Sequence, residues 1–319
     1  MKVLVCGATG FIGHNIVNHC ISNEEYKIKA IYHKTTPPQY LKNHPQIEWI
    51  KADLTKAHEV DLLVKGIDII IQAAATTSGA NEIVNKPYFH VTDNALMNSL
   101  LLRSAFEHKV KHFIFFSCTV MYPSQSKPVL EEDFNCNITP KYFGVGWTKV
   151  YIEKMCEFYS QISDTKFTVI RHSNIYGPWD KFDLEKSHVF GATVTKVMTA
   201  QNKKITVWGE GTEKRDLLYI DDLLHFISLA LKNQKEKFEL VNVGSGKAVS
   251  VKDLVQKMIV QSGRKVELVF DRSKPTLPFN LSVNRDKAQE IFGWKPQVSL
   301  EEGIDKTLKW YCENYETHP

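Results

Sequence analysis

Near its amino terminus the chain reads VLVCGATGFIGHNIV from Val3 to Val17, an apolar run that leads into three glycines and an amphipathic pattern. Two residues separate each glycine from the next, with a predicted strand before them and a predicted helix after them. A dinucleotide-binding turn needs glycine at three positions. The first is a sharp bend, the second is the point where the backbone approaches the pyrophosphate, and the third is the point where the helix packs on the strand. We therefore expect a dinucleotide with its diphosphate on the helix amino terminus, and an ordinary tight turn is the alternative. The predicted cofactor-binding residues here are Gly7, Thr9, Gly10, Phe11, Ile12 and Gly13.

The first half of the chain alternates β-rich runs with helical patterns. The run from Ile67 to Ile71 is almost continuous in apolar residues, as is typical of a strand covered on both faces. The predicted strands are Lys2–Cys6, Lys27–Tyr32, Ile47–Lys51, Ile67–Ala73, His112–Ser117 and Phe167–Arg171. The predicted helices start at Gly10 and span Val91–His108 and Thr148–Ser160. This alternation, with right-handed crossovers, predicts an α/β fold with a doubly wound parallel sheet of the Rossmann type.

The second half is less regular. Its predicted helices are Phe182–Thr199, Val251–Ser262 and Leu300–Asn314, and its predicted strand is Glu239–Val243. Because the sequence contains no flexible linker, we expect a smaller second domain that packs tightly on the sheet. We predict a dinucleotide-binding domain at residues 1–171 with 216–245, and a smaller α/β substrate-binding domain at residues 172–215 with 246–319.

The bulk composition restricts the class of protein. The chain has 319 residues, of which 43% are apolar and 24% charged, and its formal net charge is +4. These values and the scattered lysines give no indication of a nucleic-acid or membrane partner. Met1 and Lys2 lead directly into a predicted strand, so we expect no secretory signal. The six cysteines lack the close pairs of a metal site, and Cys6 and Cys20 are expected to be buried thiols, which favours a reduced, cytoplasmic protein.

The glycine spacing resembles that of the extended short-chain dehydrogenase/reductase family, the NAD-dependent epimerases and dehydratases. Three further segments occur in the order found in that family, and these are Asp53-Leu54, Ala73-Ala74-Ala75 and Asn94. The resemblance implies that Asp53 and Leu54 lie against the adenine, while the alanines and Asn94 line the cofactor. Simple strand packing is the alternative for the alanines. The resemblance also implies that Lys149 and His172 bind the cofactor.

The residues after the second predicted strand indicate which nicotinamide is bound. An acidic residue there would accept hydrogen bonds from the ribose 2′-hydroxyl, whereas a cation suits a 2′-phosphate. This chain has His33 and Lys34 at that place. We therefore predict NADP, with NAD as the alternative if these two residues are only solvated loop residues.

The stretch from Ile170 to Asp222 carries the most specific part of the resemblance. Its segments Arg171–Pro178, Lys186–Val189, Val207–Thr212 and Arg215–Asp222 follow one another as in the GDP-L-fucose synthases, which are GDP-4-keto-6-deoxymannose epimerase/reductases. The resemblance implies a GDP-linked nucleotide-sugar substrate whose binding residues are Asn174, His188, Val189, Trp208, Arg215 and Lys274. Arg215 offers a bidentate fork for the diphosphate, and His188 matches an acid/base histidine. A surface arginine and a structural histidine are the alternatives.

The catalytic unit of that family, a serine with Tyr-x-x-x-Lys, is only partly retained. The lysine is Lys149, but Val145 stands in place of the tyrosine and Cys118 in place of the serine. A second cysteine of the fucose synthases is replaced by Val120. Tyr142 would share a helix face with Lys149 if that helix started early. The predicted catalytic residues are Lys149, Cys118, Thr119, Tyr142 and His188.

Several interpretations stay open for these residues. Tyr142 is alternatively a loop aromatic that covers the cleft, and Cys118 is alternatively an inert residue that fills the space of the serine. Lys149, His188 and Arg215 favour a GDP-4-keto-6-deoxy-hexose reductase, with or without epimerase activity. A nucleotide-sugar 4-epimerase is a second hypothesis. Because Val145 cannot transfer a proton, a family member that binds its ligands without turnover is the third. The resemblance also implies a homodimer formed through the helices at residues 91–108 and 148–160.

Overall fold

The structure is a computed structural model that describes residues 1–76, 87–184, 187–200, 203–273 and 280–315. Its strands are β1 (Lys2–Cys6), β2 (Lys27–Tyr32), β3 (Ile47–Lys51), β4 (Ile69–Gln72), β5 (His112–Phe116), β6 (Lys166–His172), β7 (Asn174–Tyr176), β8 (Lys204–Trp208), β9 (Lys214–Tyr219), β10 (Phe238–Val243), β11 (Ala248–Ser250) and β12 (Glu267–Asp271). Its helices are α1 (Phe11–Cys20), α2 (Ala57–Val64), α3 (Pro87–Glu107), α4 (Phe143–Ile162), α5 (Val189–Met198), α6 (Ile220–Asn233), α7 (Val251–Ser262), α8 (Asp286–Phe292) and α9 (Leu300–Asn314).

Seven strands form the main sheet, in the order β10-β6-β5-β4-β1-β2-β3. All neighbouring strands in it pair in parallel. The chain runs outward from β1 to β3 and returns to β4 on the other side of β1, so the sheet reverses its winding between β1 and β4. In sheets of this kind, ligands bind at the carboxyl ends of the strands at such a reversal. The predicted doubly wound parallel sheet is confirmed, and the glycine-rich turn lies at this point.

The sheet is covered on both faces, which explains its almost continuously apolar strands. Ile69 and Ile71 belong to one buried cluster, whereas Ile70 between them belongs to the cluster on the opposite face. The alternation follows because successive side chains of a strand point to opposite faces. The second half of the chain forms smaller sheets, one with the order β11-β9-β7 and one that pairs β8 with β12. The division into two domains stays a prediction, and β9 crosses its boundary at residue 216.

Most predicted elements are confirmed to within a few residues, but one predicted helix is wrong in its first half. Helix α5 begins at Val189 rather than at Phe182. The preceding segment folds back on the helix, since a Cβ added to Gly191 would lie only 2.2 Å from the carbonyl oxygen of Lys181. Phe182 is buried against the rings of Trp310 and Tyr311 of α9. Its apolar character therefore reflects packing on α9 and not a helical pattern.

Two further findings bear on the class of protein. Within the described ranges, no helix combines the length and the apolarity that crossing a membrane requires. All six cysteines are free, and Cys6 and Cys20 are buried as predicted.

Candidate active site

The glycine-rich turn forms a tight cradle at the carboxyl end of β1. Gly7 has a φ of 70°, and a Cβ added to it would lie 2.7 Å from the Cα of Ala74. A Cβ added to Gly13 would lie 2.1 Å from the carbonyl oxygen of Gly7. Gly10 caps α1 without a side-chain hydrogen bond, and the uncharged residues Phe11 and Ile12 follow. The turn therefore brings bare backbone to the start of α1, as a helix amino terminus that binds a pyrophosphate requires.

The loop after β4 forms the opposite wall of this cradle. Asn94 is buried in α3, and its Oδ1 accepts a hydrogen bond of 3.0 Å from the backbone of Thr76. Its Nδ2 donates to the carbonyl oxygens of Thr76 and His90 at 3.0 and 2.8 Å. Asn94 thus fixes the loop that presents Ala73, Ala74 and Ala75. The structure places Asn94 behind the wall and the alanines at its surface.

The other end of the cradle lies beside β2 and β3. The Oδ1 of Asp53 accepts hydrogen bonds from the Thr55 amide at 3.0 Å and from its hydroxyl at 2.7 Å. These bonds, and to a smaller extent the charge of His33, hold the pKa of Asp53 below its usual value. Leu54 is buried, Thr9 is half-buried, and His33 and Lys34 are exposed. The two cationic candidates are therefore accessible to a ligand.

Lys149 lies on α4, and its side chain reaches back to the end of β5. Its Nζ donates a hydrogen bond of 2.6 Å to the carbonyl oxygen of Phe116 and lies 4.7 Å from the centre of the Phe115 ring. Burial lowers the pKa of the Lys149 ammonium, while the charges of Cys118 and Glu153 act in the opposite direction. Lys149 is thus held at the sheet edge with Val145 one turn before it on the helix.

Cys118 follows β5 and is half-buried beside Lys149. Burial raises the pKa of the Cys118 thiol, and the Lys149 ammonium opposes this shift. The thiol therefore stays protonated near neutral pH and has a cation as its neighbour. Thr119 is buried next to it, and its carbonyl oxygen accepts a hydrogen bond of 3.2 Å from the amide of Tyr122.

Tyr142 lies immediately before the helix that carries Lys149. Helix α4 begins at Phe143, so Tyr142 is its N-cap, at the end of a short 3₁₀ helix, Pro140–Tyr142. The helix does start before the predicted Thr148, at Phe143, and the ring of Tyr142 packs on the buried cluster of Met121, Ile138 and Val150. Burial lowers the pKa of the Arg215 guanidinium, and the nearby Tyr142 hydroxyl opposes this shift.

Two histidines complete the arrangement. The ring Nδ1 of His172 lies 2.7 Å from the carbonyl oxygen of Ser173, so it carries the proton and donates it. Burial lowers the pKa of His172 to about 4, and the charges of Lys149 and His188 add to this effect. His188 is the exposed N-cap of α5. The charge of Lys149 thus acts on both Cys118 and His172, and the charge of His188 acts on His172.

The predicted substrate residues lie on the smaller sheets and on α5. Asn174 donates a hydrogen bond of 3.1 Å to the carbonyl oxygen of Asp216. Arg215 is half-buried on β9 and donates to the carbonyl oxygen of Lys214 at 2.9 Å. Val189 is half-buried at the start of α5, whereas Trp208 is 58% exposed at the end of β8. Lys274 lies outside the described residues.

Sequence reasoning missed a buried polar network beneath these residues. Glu153 pairs with Arg171, and their side chains are 3% and 5% exposed. Glu153 also accepts a hydrogen bond of 2.5 Å from Ser117, and Arg171 donates one of 2.9 Å to Tyr122. Glu153 follows Lys149 by four residues, but its partners, one just after β5 and the other on β6, are not apparent from local sequence.

Comparisons with known proteins place the chain in a family. The model of the NAD dependent epimerase/dehydratase family matches residues 3–244, and the chain belongs to this family. It is therefore an enzyme of an NAD(P)-dependent class, and its main sheet and glycine cradle agree with this.

Two relatives and one solved structure share between 26% and 30% of their residues with this chain. The chain is 27% identical to a GDP-L-colitose synthase of Yersinia pseudotuberculosis over 98% of both chains. It is 30% identical to a GDP-L-fucose synthase of Sinorhizobium fredii over 83% of this chain and 86% of that protein. Among solved structures, it is similar to a Bacillus cereus UDP-glucuronic acid 4-epimerase in complex with UDP-glucuronic acid and NAD. That structure has a TM-score of 0.86 and 26% identity, and the match covers 99% of this chain and 100% of the other.

Proposed function

We propose that this protein is an NAD(P)-dependent enzyme that reduces a GDP-linked 4-keto-6-deoxy hexose, with or without epimerisation. The observation that carries the proposal is the position of Lys149 at the end of β5, beside the glycine cradle. There its Nζ bonds the carbonyl oxygen of Phe116 at 2.6 Å next to Cys118, and the His172 ring lies 6.2 Å from the Phe116 ring. The relatives named GDP-L-colitose synthase and GDP-L-fucose synthase support a GDP-linked sugar.

Different residues would contact different parts of the dinucleotide. The turn from Gly7 to Gly13 would hold the pyrophosphate, Asp53 and Leu54 the adenine, and Lys149 the nicotinamide ribose. A reduced nicotinamide supplies hydride to the substrate carbonyl when it is bound. The exposed cations His33 and Lys34 support NADP over NAD.

The sugar nucleotide would lie against β9 and α5. Arg215 would bind its diphosphate through the guanidinium, which suits a bidentate contact with phosphate oxygens. Asn174, Val189, Trp208 and Lys274 are proposed to contact the nucleotide or the sugar. His188, at the exposed start of α5, would exchange protons with the sugar if epimerisation occurs. Tyr142 would lie beside the diphosphate, because its ring is an electrostatic neighbour of Arg215.

The proton for the reduced oxygen needs a donor other than a tyrosine at position 145. We assign this role to Cys118, because its thiol stays protonated near neutral pH and borders the Lys149 ammonium. The S–H bond breaks as the new O–H bond forms on the sugar. Lys149 then returns a proton to the thiolate and is reprotonated by water. Tyr142 and a water molecule held by Thr119 are the other candidates for the donor.

Two alternatives make different predictions. A nucleotide-sugar 4-epimerase would interconvert a sugar nucleotide without net consumption of NADPH. A binding protein without turnover, which Val145 favours, would retain both ligands but form no product. Product analysis separates the three functions when the protein is incubated with NADPH and GDP-4-keto-6-deoxymannose, and in parallel with NAD and UDP-glucose. Our proposal expects a reduced GDP-sugar only in the first reaction. Formation of UDP-galactose in the second reaction would favour the epimerase.

Assembly and location are also proposals. Helices α3 and α4 pack side by side and expose apolar side chains, among them Leu96, Tyr151 and Phe158. These residues support a homodimer formed through the two helices. The six free cysteines support a reducing, cytoplasmic location.

A further inference from the structure

Glu153 is a buried carboxylate that is bonded to two strands of the main sheet. Its Oε1 accepts hydrogen bonds from the Ser117 hydroxyl at 2.5 Å and from the Arg171 Nε at 3.0 Å. Its Oε2 accepts a hydrogen bond of 2.6 Å from another guanidinium nitrogen of Arg171. The Arg171 guanidinium is further held by the Tyr122 hydroxyl at 2.9 Å and the Glu131 carbonyl oxygen at 3.0 Å. Both carboxylate oxygens are therefore used, and the group has one fixed position.

Each partner of Glu153 is adjacent to a residue of the candidate site. Ser117 immediately precedes Cys118 at the exit of β5, and Arg171 immediately precedes His172 at the end of β6. Lys149 lies one turn before Glu153 on α4, and residues four apart on a helix are neighbours. One carboxylate thus links the three elements that carry Cys118, His172 and Lys149.

The charges around this carboxylate also act on the site. Cys118 has Lys149 and Glu153 of α4 and Arg171 of β6 as its charged neighbours. Lys149 has Cys118 and Glu153 as neighbours, and its own charge acts on His172, which also borders His188. Glu153 is the acidic group common to the neighbours of Cys118 and Lys149. Residue 145 is a valine, so it adds no tyrosine hydroxyl beside Lys149.

We propose that Glu153 is a positioning residue, whose carboxylate fixes Cys118, Lys149 and His172 relative to one another and supplies the negative charge that balances Lys149. The catalytic use of this arrangement rests on the proposed function, but the arrangement itself is measurable without turnover.

The test uses alkylation of Cys118 by iodoacetamide as a function of pH, followed on the Cys118 peptide by mass spectrometry. The reaction reports the thiolate, because the thiolate is the nucleophile. Glu153→Gln keeps the size of the side chain and removes its charge. Since Glu153 raises the pKa of Cys118 and of Lys149, we expect the alkylation midpoint of Glu153→Gln to fall below that of the wild type. Ser117→Ala removes one hydrogen bond and keeps the charge, so its midpoint should match the wild type.

A double variant keeps the proposal testable if Glu153→Gln does not fold. Glu153→Gln alone leaves Arg171 unpaired in the core, whereas Glu153→Gln with Arg171→Met removes both charges, a replacement that proteins often tolerate. Because Glu153 acts more strongly on Cys118 than Arg171 does, we expect the midpoint of the double variant to lie below that of the wild type and above that of folded Glu153→Gln.

The outcomes separate this proposal from the proposed function. An unchanged or raised midpoint in the double variant would overturn the role of Glu153, as would a Ser117→Ala shift as large as that of Glu153→Gln. Either result leaves sugar reduction by the wild type unaffected. Conversely, a protein that forms no reduced sugar still shows the midpoint shift if Glu153 has the proposed role.

Discussion

The ammonium of Lys149 donates a 2.6 Å hydrogen bond to the carbonyl oxygen of Phe116, at the very end of β5. This contact holds the lysine beside the thiol of Cys118 without any help from residue 145. It follows that replacement of the family tyrosine by Val145 removes a proton donor but leaves the lysine in place. Positioning of the lysine and transfer of the proton are therefore separate functions in this site.

Cofactor choice is the first consequence that binding measurements can check. His33 and Lys34 are exposed after β2, so we expect NADPH to bind more tightly than NADH. Lys34→Ala should weaken NADPH by up to about 1 kcal/mol, roughly fivefold, because an exposed ion pair is screened by solvent. NADH should be little changed. Calorimetry measures both, with Lys27→Ala at the opposite end of β2 as the control. A preference of the wild type for NADH would reject NADP.

Sugar-nucleotide binding is expected to depend on Arg215. Arg215→Ala should weaken GDP binding by about 1.5–3 kcal/mol, since a charge-assisted bidentate contact is lost. Lys214→Ala is the matched control, because neighbouring side chains on β9 point to opposite faces. Calorimetry with GDP and with UDP tests the base as well. An Arg215→Ala protein that binds GDP as the wild type does would remove Arg215 from the site, and tighter binding of UDP would reject guanine.

The identity of the proton donor can be examined by paired substitutions. Cys118→Ala should slow the single-turnover reaction by about 10²–10⁴-fold, which is the usual contribution of a positioned acid. Cys118→Ser restores the hydroxyl of the family and should retain more activity. Tyr142→Phe should leave the rate of the chemical step nearly unchanged, since Tyr142 adjoins Arg215. Cys136→Ala, an exposed cysteine, is the control for loss of a thiol. A large effect of Tyr142→Phe with none of Cys118→Ala would assign the proton to Tyr142.

Asp180 should make stability depend on pH. It is 7% exposed, and within the described residues its Oδ2 has no hydrogen-bond partner. Burial raises the pKa of Asp180 to about 7, so the folded state keeps the proton that the unfolded state loses near 3.8. The associated stability is fully present below pH 3.8 and is lost progressively as pH rises from 3.8 to about 7, by up to about 4 kcal/mol in total.

Thermal unfolding at pH 5 and pH 8 measures this effect. Asp180→Asn cannot ionise, so its Tm should fall less between the two pH values than that of the wild type. Asp183→Asn, at an exposed position nearby, should behave as the wild type. Equal pH dependence of the wild type and Asp180→Asn would show that Asp180 is ionised throughout.

Local sequence patterns predicted the sheet better than they predicted the site. The strands β1, β2 and β3 have the predicted bounds, because each is a local run of strand-forming residues. The local pattern around Phe182 predicts a helix, because its packing against Trp310 of α9 is a long-range contact that local sequence does not reveal. Whether Tyr142 belongs to α4 could not be predicted, because the short 3₁₀ helix Pro140–Tyr142 directly before α4 is not apparent from local sequence. The partners of Glu153 come from two strands, so its spacing from Lys149 alone did not reveal them.

The most direct test of the central claim is single-turnover oxidation of protein-bound NADPH by GDP-4-keto-6-deoxymannose, with binding of both ligands established beforehand. Hydride transfer depends on the relative orientation of the reactants, which Lys149 and the glycine cradle retain. We expect the wild type to oxidise NADPH slowly and to form a reduced GDP-sugar. Val145→Tyr should accelerate this oxidation by restoring a donor one turn before Lys149. If neither protein oxidises NADPH although both bind both ligands, the chain is not a reductase of this sugar and the interpretation as a binding protein stands.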